Sequence, residues 1–319
     1  MTAELLNIRE LAVSVSGVEV VSDVSFGVRP GEAVGIVGET GSGKTMTCRA
    51  VIGTIVRIGG RVDRGTVIFD GKDLLGLSRA ETRAIRGRRI SYIPQSSLSS
   101  LDPLMKVGRQ LEETVRTLVG GDVDARVDGL LDAVQLGDKS RIRRSYPHEL
   151  SGGMRQRVAI ALALAGQADL IIADEPTTAL DVTTQREILE LLGELRRTRG
   201  MSLILVTHDL GVVEETCDRL MVMYAGITVE SGSTARVLHE PAHPYTRALV
   251  SARLTRSTER VATPALKGPS GEAGHWPTGC RFAPRCPIAE NDCTKEQPSL
   301  RRTSPDGWAA CFLAGEYAD

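Results

Sequence analysis

The chain has 319 residues, room for one large or two ordinary domains with a proper core. It is 41% hydrophobic and 25% charged, as soluble globular proteins are, and its net charge of −1 gives no basic footprint for nucleic acid or an acidic membrane surface. No apolar run reaches the roughly 18 residues needed to span a bilayer, and the start MTAELLNIRE lacks the basic and apolar parts of a secretion signal, so a cytosolic chain is expected.

Leu5 to Val15 and Val18 to Val28 alternate and read as antiparallel strands. Glu32 to Glu39 is a β-branched run feeding into the Gly-rich string GETGSGKT, Gly38 to Thr45, with a helix expected from Gly43-Lys44 to about Thr54. Thr66 to Phe69 and Ile90 to Ile93 read as further strands, and Val107 to Gln135 as a fairly polar helical stretch. Ser151 is a good N-cap for a following helix. Leu170 to Ala173 is a short buried strand ending in two acids, Asp174 and Glu175. Thr183 to Arg199 is an amphipathic helix with Ile188, Leu191, Leu192 and Leu195 on one face, and Ser202 to Thr207 is a buried strand ending at His208. Strands alternating with helices give an α/β fold, a mostly parallel sheet covered on both faces. From Ala252 to Trp276 the periodicity fails, and Pro264, Gly268, Pro269, Gly271 and Gly274 mark a linker. No internal repeat is visible.

Gly38 to Thr45 fits the pattern G-x-x-x-x-G-K-[ST], preceded by a strand and followed by a helix as that pattern requires. Gly38, Gly41 and Gly43 let the backbone wrap a phosphate where a Cβ would clash. Lys44 would bridge the β- and γ-phosphates, Thr45 would ligate Mg²⁺, and Glu39, Thr40, Ser42 and Thr47 complete the candidate ATP-binding set. Asp174 and Glu175 stand at the carboxyl end of a strand, where side chains project toward a ligand crevice; read alone, they are equally a solvated acidic turn. Gln95 at a strand end reads alone as ordinary surface, and His208 as a core histidine. Ser151, Gly152 and Gly153 open a helix with bare N–H groups, which is an anion site or simply a capped helix. Cys48 and Cys217 stand alone as inert thiols, whereas Cys280, Cys286, Cys293 and Cys311 crowd the tail, which in a reducing cytosol reads as metal binding before disulfide.

LSGGMRQR, Leu150 to Arg157, resembles the signature of the ATP-binding cassette (ABC) family. Together with the phosphate loop, DLIIADEP, ISYIPQ and LVTHD, the resemblance implies an ABC-type P-loop ATPase core with an antiparallel β subdomain and a helical subdomain at about 96–158. It implies a cassette over 1–251, a linker over 252–276 and a small Cys-rich extension over 277–319. It assigns Thr45, Gln95 and Asp174 to the Mg²⁺ shell, and Glu175 to the attacking water, as general base or as the group that orients it. It places His208 near the γ-phosphate. Ser151, Gly152, Gly153 and Gln156 would close over ATP held by an opposing subunit, and Asp181, after Ala179-Leu180, would communicate across the dimer. One position departs from the family pattern: Val15 stands where an aromatic residue usually stacks on adenine, so selectivity for ATP over GTP stays open.

ADEPTTALDVTTQREIL, THDLGVV, DRLMVMYAG, HPYTRAL and PQSSLSSLDPLMKVG resemble the ATPase subunits of the dipeptide, oligopeptide and nickel importer group. HPYT serves only as a marker of that group. The resemblance implies an ATP-hydrolysing motor on the cytoplasmic face of the membrane. Its implied partners are a second ATPase subunit, identical or a sister, two membrane permeases docking near Gln95 to Val107, and an extracytoplasmic substrate-binding protein. Nickel or another small solute is the alternative cargo. A soluble ABC ATPase acting on nucleic acid or ribosomes is the rival class, but the sequence has no second cassette, long coiled-coil insertion or basic surface. Peptide-transport members of the group often carry four cysteines in a C-terminal extension. Cys280-x₅-Cys286-x₆-Cys293-x₁₇-Cys311 is accordingly read first as a [4Fe–4S] ligand set, with structural Zn²⁺ or no metal as the alternatives, and Pro284 and Pro287 would stiffen the ligand loop.

Overall fold

The computed structural model describes residues 4–96, 100–178, 180–252, 271 and 273–315. Most of the expected linker, as well as Ala179, therefore lies outside the described residues. The chain divides into two compact units, one drawn from residues 1–5, 28–33 and 73–206, the other from 6–27, 34–72 and 207–319.

The second unit holds the phosphate loop. Strands Leu6–Val15 and Val18–Val28 are joined by Ser16-Gly17, both at positive φ (51° and 82°), the mirror-image turn whose twist suits a tight hairpin. Leu6–Val15 also pairs antiparallel with Gly60–Phe69, Leu6 opposite Phe69 and Val15 opposite Gly60, with a register shift between Arg9 and Val13. The sequence suggested only Thr66 to Phe69 here. The polar GRVDRG portion is drawn into the ladder by its partner, and Gly65 is required at the irregularity, because a Cβ there would lie 2.6 Å from the Arg9 carbonyl.

Ala33–Val37, buried throughout, runs parallel to Arg219–Tyr224, with Val34 opposite Arg219 and Val37 opposite Val222. Arg219–Tyr224 turns back through Ala225-Gly226 into the antiparallel strand Ile227–Ser233. Gly307–Ala309 extends that strand pair, with Ala309 opposite Glu230, and Arg301–Ser304 follows at its side. The Cys-rich segment thus continues the sheet of its unit rather than trailing from it. The helix after the phosphate loop spans Lys44–Val51, three residues short of the expected end, because Gly53 adopts φ 63° and closes it.

The first unit carries the parallel strands Ile90–Ile93, Leu170–Asp174 and Ser202–Thr207, with Ile90 opposite Leu170 and Leu170 opposite Ser202. Every residue of the last two is buried, as a strand covered on both faces requires. The expected helical stretch splits into Val107–Leu118 and Val123–Ala133 at Gly120-Gly121, both at positive φ, where Asp122 caps the second helix by accepting from the Ala125 N–H. The half-buried Arg143 of the helix Lys139–Arg144 pairs with Glu112, Asp124 and Asp128, tying three helices together. Arg79–Ile85, Gly152–Leu164 and Val182–Arg199 are further helices of the unit.

Candidate functional site

In the phosphate loop, Gly41 and Gly43 adopt φ 84° and 98°. A Cβ on Gly38 would fall 2.1 Å from the Met223 carbonyl oxygen and 2.7 Å from the Ser42 Oγ, so the loop is drawn tight against the strand behind it. Lys44 is 5% exposed and its Nζ donates to the Gly38 and Glu39 carbonyls at 2.8 and 3.0 Å. The Ser42 N–H donates to the Glu39 carbonyl at 3.1 Å, and the Thr47 hydroxyl donates to the Gly43 carbonyl at 3.0 Å. The Ser42 Oγ is buried and without a hydrogen-bond partner. A Cβ on Gly41 would meet nothing within 4 Å, so that glycine answers to its positive φ and not to the expected clash; the tight fit at Gly38, the folded-in lysine and the orphaned hydroxyl fit an anion of phosphate size.

Glu39 is held from outside the loop. Its N–H donates to the Tyr245 phenol at 2.9 Å, and its carboxylate takes both arms of the Arg285 guanidinium at 2.8 and 3.0 Å. Tyr245 is fully buried, and burial pushes its phenol pKa up. It packs in a ring cluster with Tyr224 and Phe282, at centroid distances of 4.7 and 5.4 Å. His243, two residues earlier, caps the helix Pro244–Ser251 by accepting the Tyr245 N–H at its Nδ1, and burial lowers its pKa to about 3. The Glu230 carboxylate accepts the Ala242 and His243 N–H groups, which partly offsets the rise that burial imposes on its pKa.

In the other unit three candidate residues converge. Asp174 is buried at the end of its strand and accepts the Tyr92 hydroxyl at 2.7 Å. Glu175 follows at φ 46°, in the left-handed region that a side chain rarely adopts. Its carboxylate accepts from the Gln95 amide and the Thr178 hydroxyl, each at 2.9 Å, while its N–H bonds to the Val206 carbonyl at 2.9 Å. The two acids are therefore not a solvated turn. One is sunk against a tyrosine, and the other is aimed by backbone geometry and held by the exposed Gln95.

Ser151 caps Gly152–Leu164 as expected, its Oγ accepting the Met154 N–H at 3.3 Å. The glycines behind it have a packing reason besides bare N–H groups. A Cβ on Gly153 would lie 2.6 Å from the Thr184 methyl, and one on Gly152 would lie 3.0 Å from Leu180. Gln156 is buried with its Nε2 unpartnered. Asp181 caps Val182–Arg199, accepting the Thr184 N–H and hydroxyl at 3.0 and 2.8 Å, and those bonds lower its pKa. His208 is exposed just beyond the strand Ser202–Thr207, and Val15 is half-buried at its strand end.

The tail cysteines are all free thiols, with Cys280, Cys293 and Cys311 buried and Cys286 half-buried. Burial pushes the Cys280 and Cys286 pKa values up, and both feel the Cys293 and Cys311 sulfurs as well. The Cys280 N–H donates to the Cys293 carbonyl at 2.8 Å. Among the described residues, however, no three Cys, His, Asp or Glu side chains are disposed to hold a metal, so neither the expected [4Fe–4S] ligand set nor its zinc alternative is found assembled there.

Residues 21–178 match the family profile described as ABC transporter, and 229–293 match the oligopeptide/dipeptide transporter C-terminal region. The putative peptide import ATP-binding protein of Brucella abortus (strain 2308) is 43% identical over 309 residues, covering 95% of this chain and 93% of that protein. The chain belongs to the ABC transporter ATP-binding family. The oligopeptide transport ATP-binding protein OppD of Escherichia coli (strain K12) is 42% identical, covering 97% of this chain and 93% of OppD. Among solved structures, cbiO1 of Clostridium perfringens, part of an ABC transporter complex, aligns with a TM-score of 0.65 at 26% identity, covering 74% of this chain and 91% of that one. The ATP-binding cassette MJ0796, in a dimeric post-hydrolysis state with ADP and phosphate, aligns at 0.63 and 27%, covering 72% and 98%.

Sequence reading missed Tyr92, Thr178, Tyr245 and Arg285. Tyr92 carried a signal, since a tyrosine in a short apolar strand needs a partner for its hydroxyl. Arg285 carried none: it lies 246 residues from Glu39, and only the fold joins them.

Proposed function

We propose that this chain is the ATP-hydrolysing motor of a membrane importer for di- or oligopeptides. The observation that carries the reading is likeness to OppD over nearly the whole chain, including the oligopeptide/dipeptide C-terminal region at 229–293. No helix among the described residues is long and apolar enough to cross a membrane, so two permease chains would form the pore. A binding protein on the far side would deliver cargo, and a second ATPase subunit would complete the motor at the cytoplasmic face.

In this reading Gly38 to Thr45 bind the triphosphate, with Lys44 leaving its two loop carbonyls for the β- and γ-phosphates. Mg²⁺, when bound, would neutralise phosphate charge, held by Thr45, Gln95 and Asp174. Glu175 takes or orients the proton of the attacking water, with Gln95 and Thr178 setting its rotamer. His208 positions the γ-phosphate end. Ser151, Gly152, Gly153 and Gln156 offer hydroxyl, N–H and amide donors to ATP held by the facing subunit, and Asp181 anchors the segment between. Closure favoured by ATP shifts the permeases, and hydrolysis resets them, because only a ligand that prefers one state moves the equilibrium.

The test is Ser151→Arg in the assembled transporter. Turnover and uptake of labelled oligopeptides should both collapse while nucleotide binding to the separate chain persists. Full-speed turnover would refute the sandwiched-ATP reading, and uptake of nickel instead of peptide would move the cargo assignment.

For the tail we propose a structural [4Fe–4S] cluster on Cys280, Cys286, Cys293 and Cys311. What supports the reading is four free thiols in one short segment, three of them buried, the usual number of ligands for such a cluster. Iron and acid-labile sulfide in anaerobically purified protein, lost in Cys286→Ser, would support it; zinc alone would replace it.

A further inference from the structure

The phosphate loop contains a carboxylate, Glu39, beside the place proposed for a polyanion. An unneutralised carboxylate there would repel the triphosphate. Every polar group of Glu39 is engaged. The carbonyl takes Lys44 Nζ and the Ser42 N–H, the N–H goes to Tyr245, and the carboxylate is gripped by both arms of Arg285. The Arg285 side chain is only 7% exposed, and its guanidinium also lies over the Tyr224 ring at 5.7 Å. Arg285 belongs to the turn Ala283–Arg285 next to Cys286, and Tyr245 to HPYT, so two segments without an assigned chemical role meet on one loop residue. Phe282, 1% exposed, seats the tail turn edge-on against Tyr224 at 5.2 Å.

We propose that Arg285, with Tyr245 beside it, is a positioning residue for ATP: it neutralises Glu39 and fixes the near side of the phosphate loop, so that the C-terminal extension sets nucleotide affinity. A bidentate guanidinium–carboxylate pair suits this role, since it cancels the charge and sets the orientation at once. Arg285 acts through Glu39, whose carboxylate it holds. The inference rests on the assignment of Gly38 to Thr45 to the triphosphate.

The test measures KM for ATP and kcat in the assembled transporter, and binding of a fluorescent ATP analogue to the full chain. Arg285→Gln should raise KM about ten-fold, the loss of a charge-assisted hydrogen-bonded pair, with a smaller change in kcat. Arg285→Lys keeps the charge and loses the fork; it should stay within about three-fold of the parent and guards against a misfolded glutamine variant. The decisive variant is the double Glu39→Gln with Arg285→Gln. Removing the carboxylate that Arg285 neutralises should recover most of the lost affinity, which no merely structural role would do. An unchanged KM in Arg285→Gln, or a double variant as weak as that single one, overturns the proposal. Lys44→Ala separates the layers: lost binding there with unchanged KM in Arg285→Gln sinks only the Arg285 role, whereas full binding in Lys44→Ala sinks the loop assignment.

Discussion

The two regions proposed to handle the nucleotide are built on opposite principles. The phosphate loop is shaped by steric exclusion: glycines where a Cβ would strike backbone, a buried lysine and a carboxylate locked to an arginine from the tail. The Glu175 turn is shaped by polar contacts around a strained residue, a left-handed glutamate held by Gln95 and Thr178. Binding a large anion needs a surface that does not move, whereas handling a proton needs a side chain that can exchange partners. Rigid backbone supplies the first, and replaceable side-chain hydrogen bonds supply the second.

If that contrast holds, changes at the turn should act on rate and changes at the loop on affinity. The largest effect is expected from Glu175→Gln. Phosphate release should fall by about 10²–10⁴-fold, the contribution of a positioned acid–base group, while ATP-dependent dimer closure on gel filtration is retained. Unchanged hydrolysis would remove Glu175 from its role.

Gly153→Ala probes packing in the same unit. Its Cβ would meet the Thr184 methyl, and overpacking of this kind costs about 1–3 kcal/mol, read as a lower melting temperature. Adding Thr184→Ser should return most of the loss; if it does not, the glycine answers to something other than that methyl.

The ring cluster behind the loop should show itself in pH. His243 is neutral in the fold with a pKa of about 3, against 6.5 for the free side chain. A lowered folded pKa gives stability that is complete above the unfolded value and lost as pH falls from 6.5 toward 3. The loss should approach about 1.4 kcal/mol per pH unit in that window, seen in thermal melts from about pH 7 to pH 5. His243→Asn keeps a capping acceptor and should flatten the slope; an equal slope would place the acid sensitivity elsewhere. The smallest effect is expected from Ser151→Ala, which removes an N-cap worth about 1 kcal/mol, although turnover should fall much further if the same hydroxyl serves ATP.

The legible parts of the molecule were the local ones. Ile90–Ile93 and Ser202–Thr207 have the bounds their apolar runs suggested, and Ser151 caps the helix it was expected to cap. Gly60–Phe69 was half-read, because its first residues owe their strand to Leu6–Val15 rather than to their own polarity. The Val107 to Gln135 stretch was read as continuous because Gly120-Gly121 interrupts an otherwise unbroken helical composition. In the candidate site, Lys44 announced itself by spacing, and Asp174 and Glu175 by the family resemblance. The engagement of Asp174 by Tyr92, and of Glu39 by Arg285, did not.

By itself the sequence determined the phosphate loop and the order of strands and helices, because these follow from short-range periodicity, turn chemistry and fixed spacing along the chain, and its longer strings carried the resemblance to the family. Tertiary structure alone decided that the Cys-rich tail would add strands beside Ile227–Ser233, and that HPYT and the tail turn would each reach one loop glutamate. Those pairings join residues far apart in the chain, 206 and 246 positions for the two contacts to Glu39, and no local pattern encodes them.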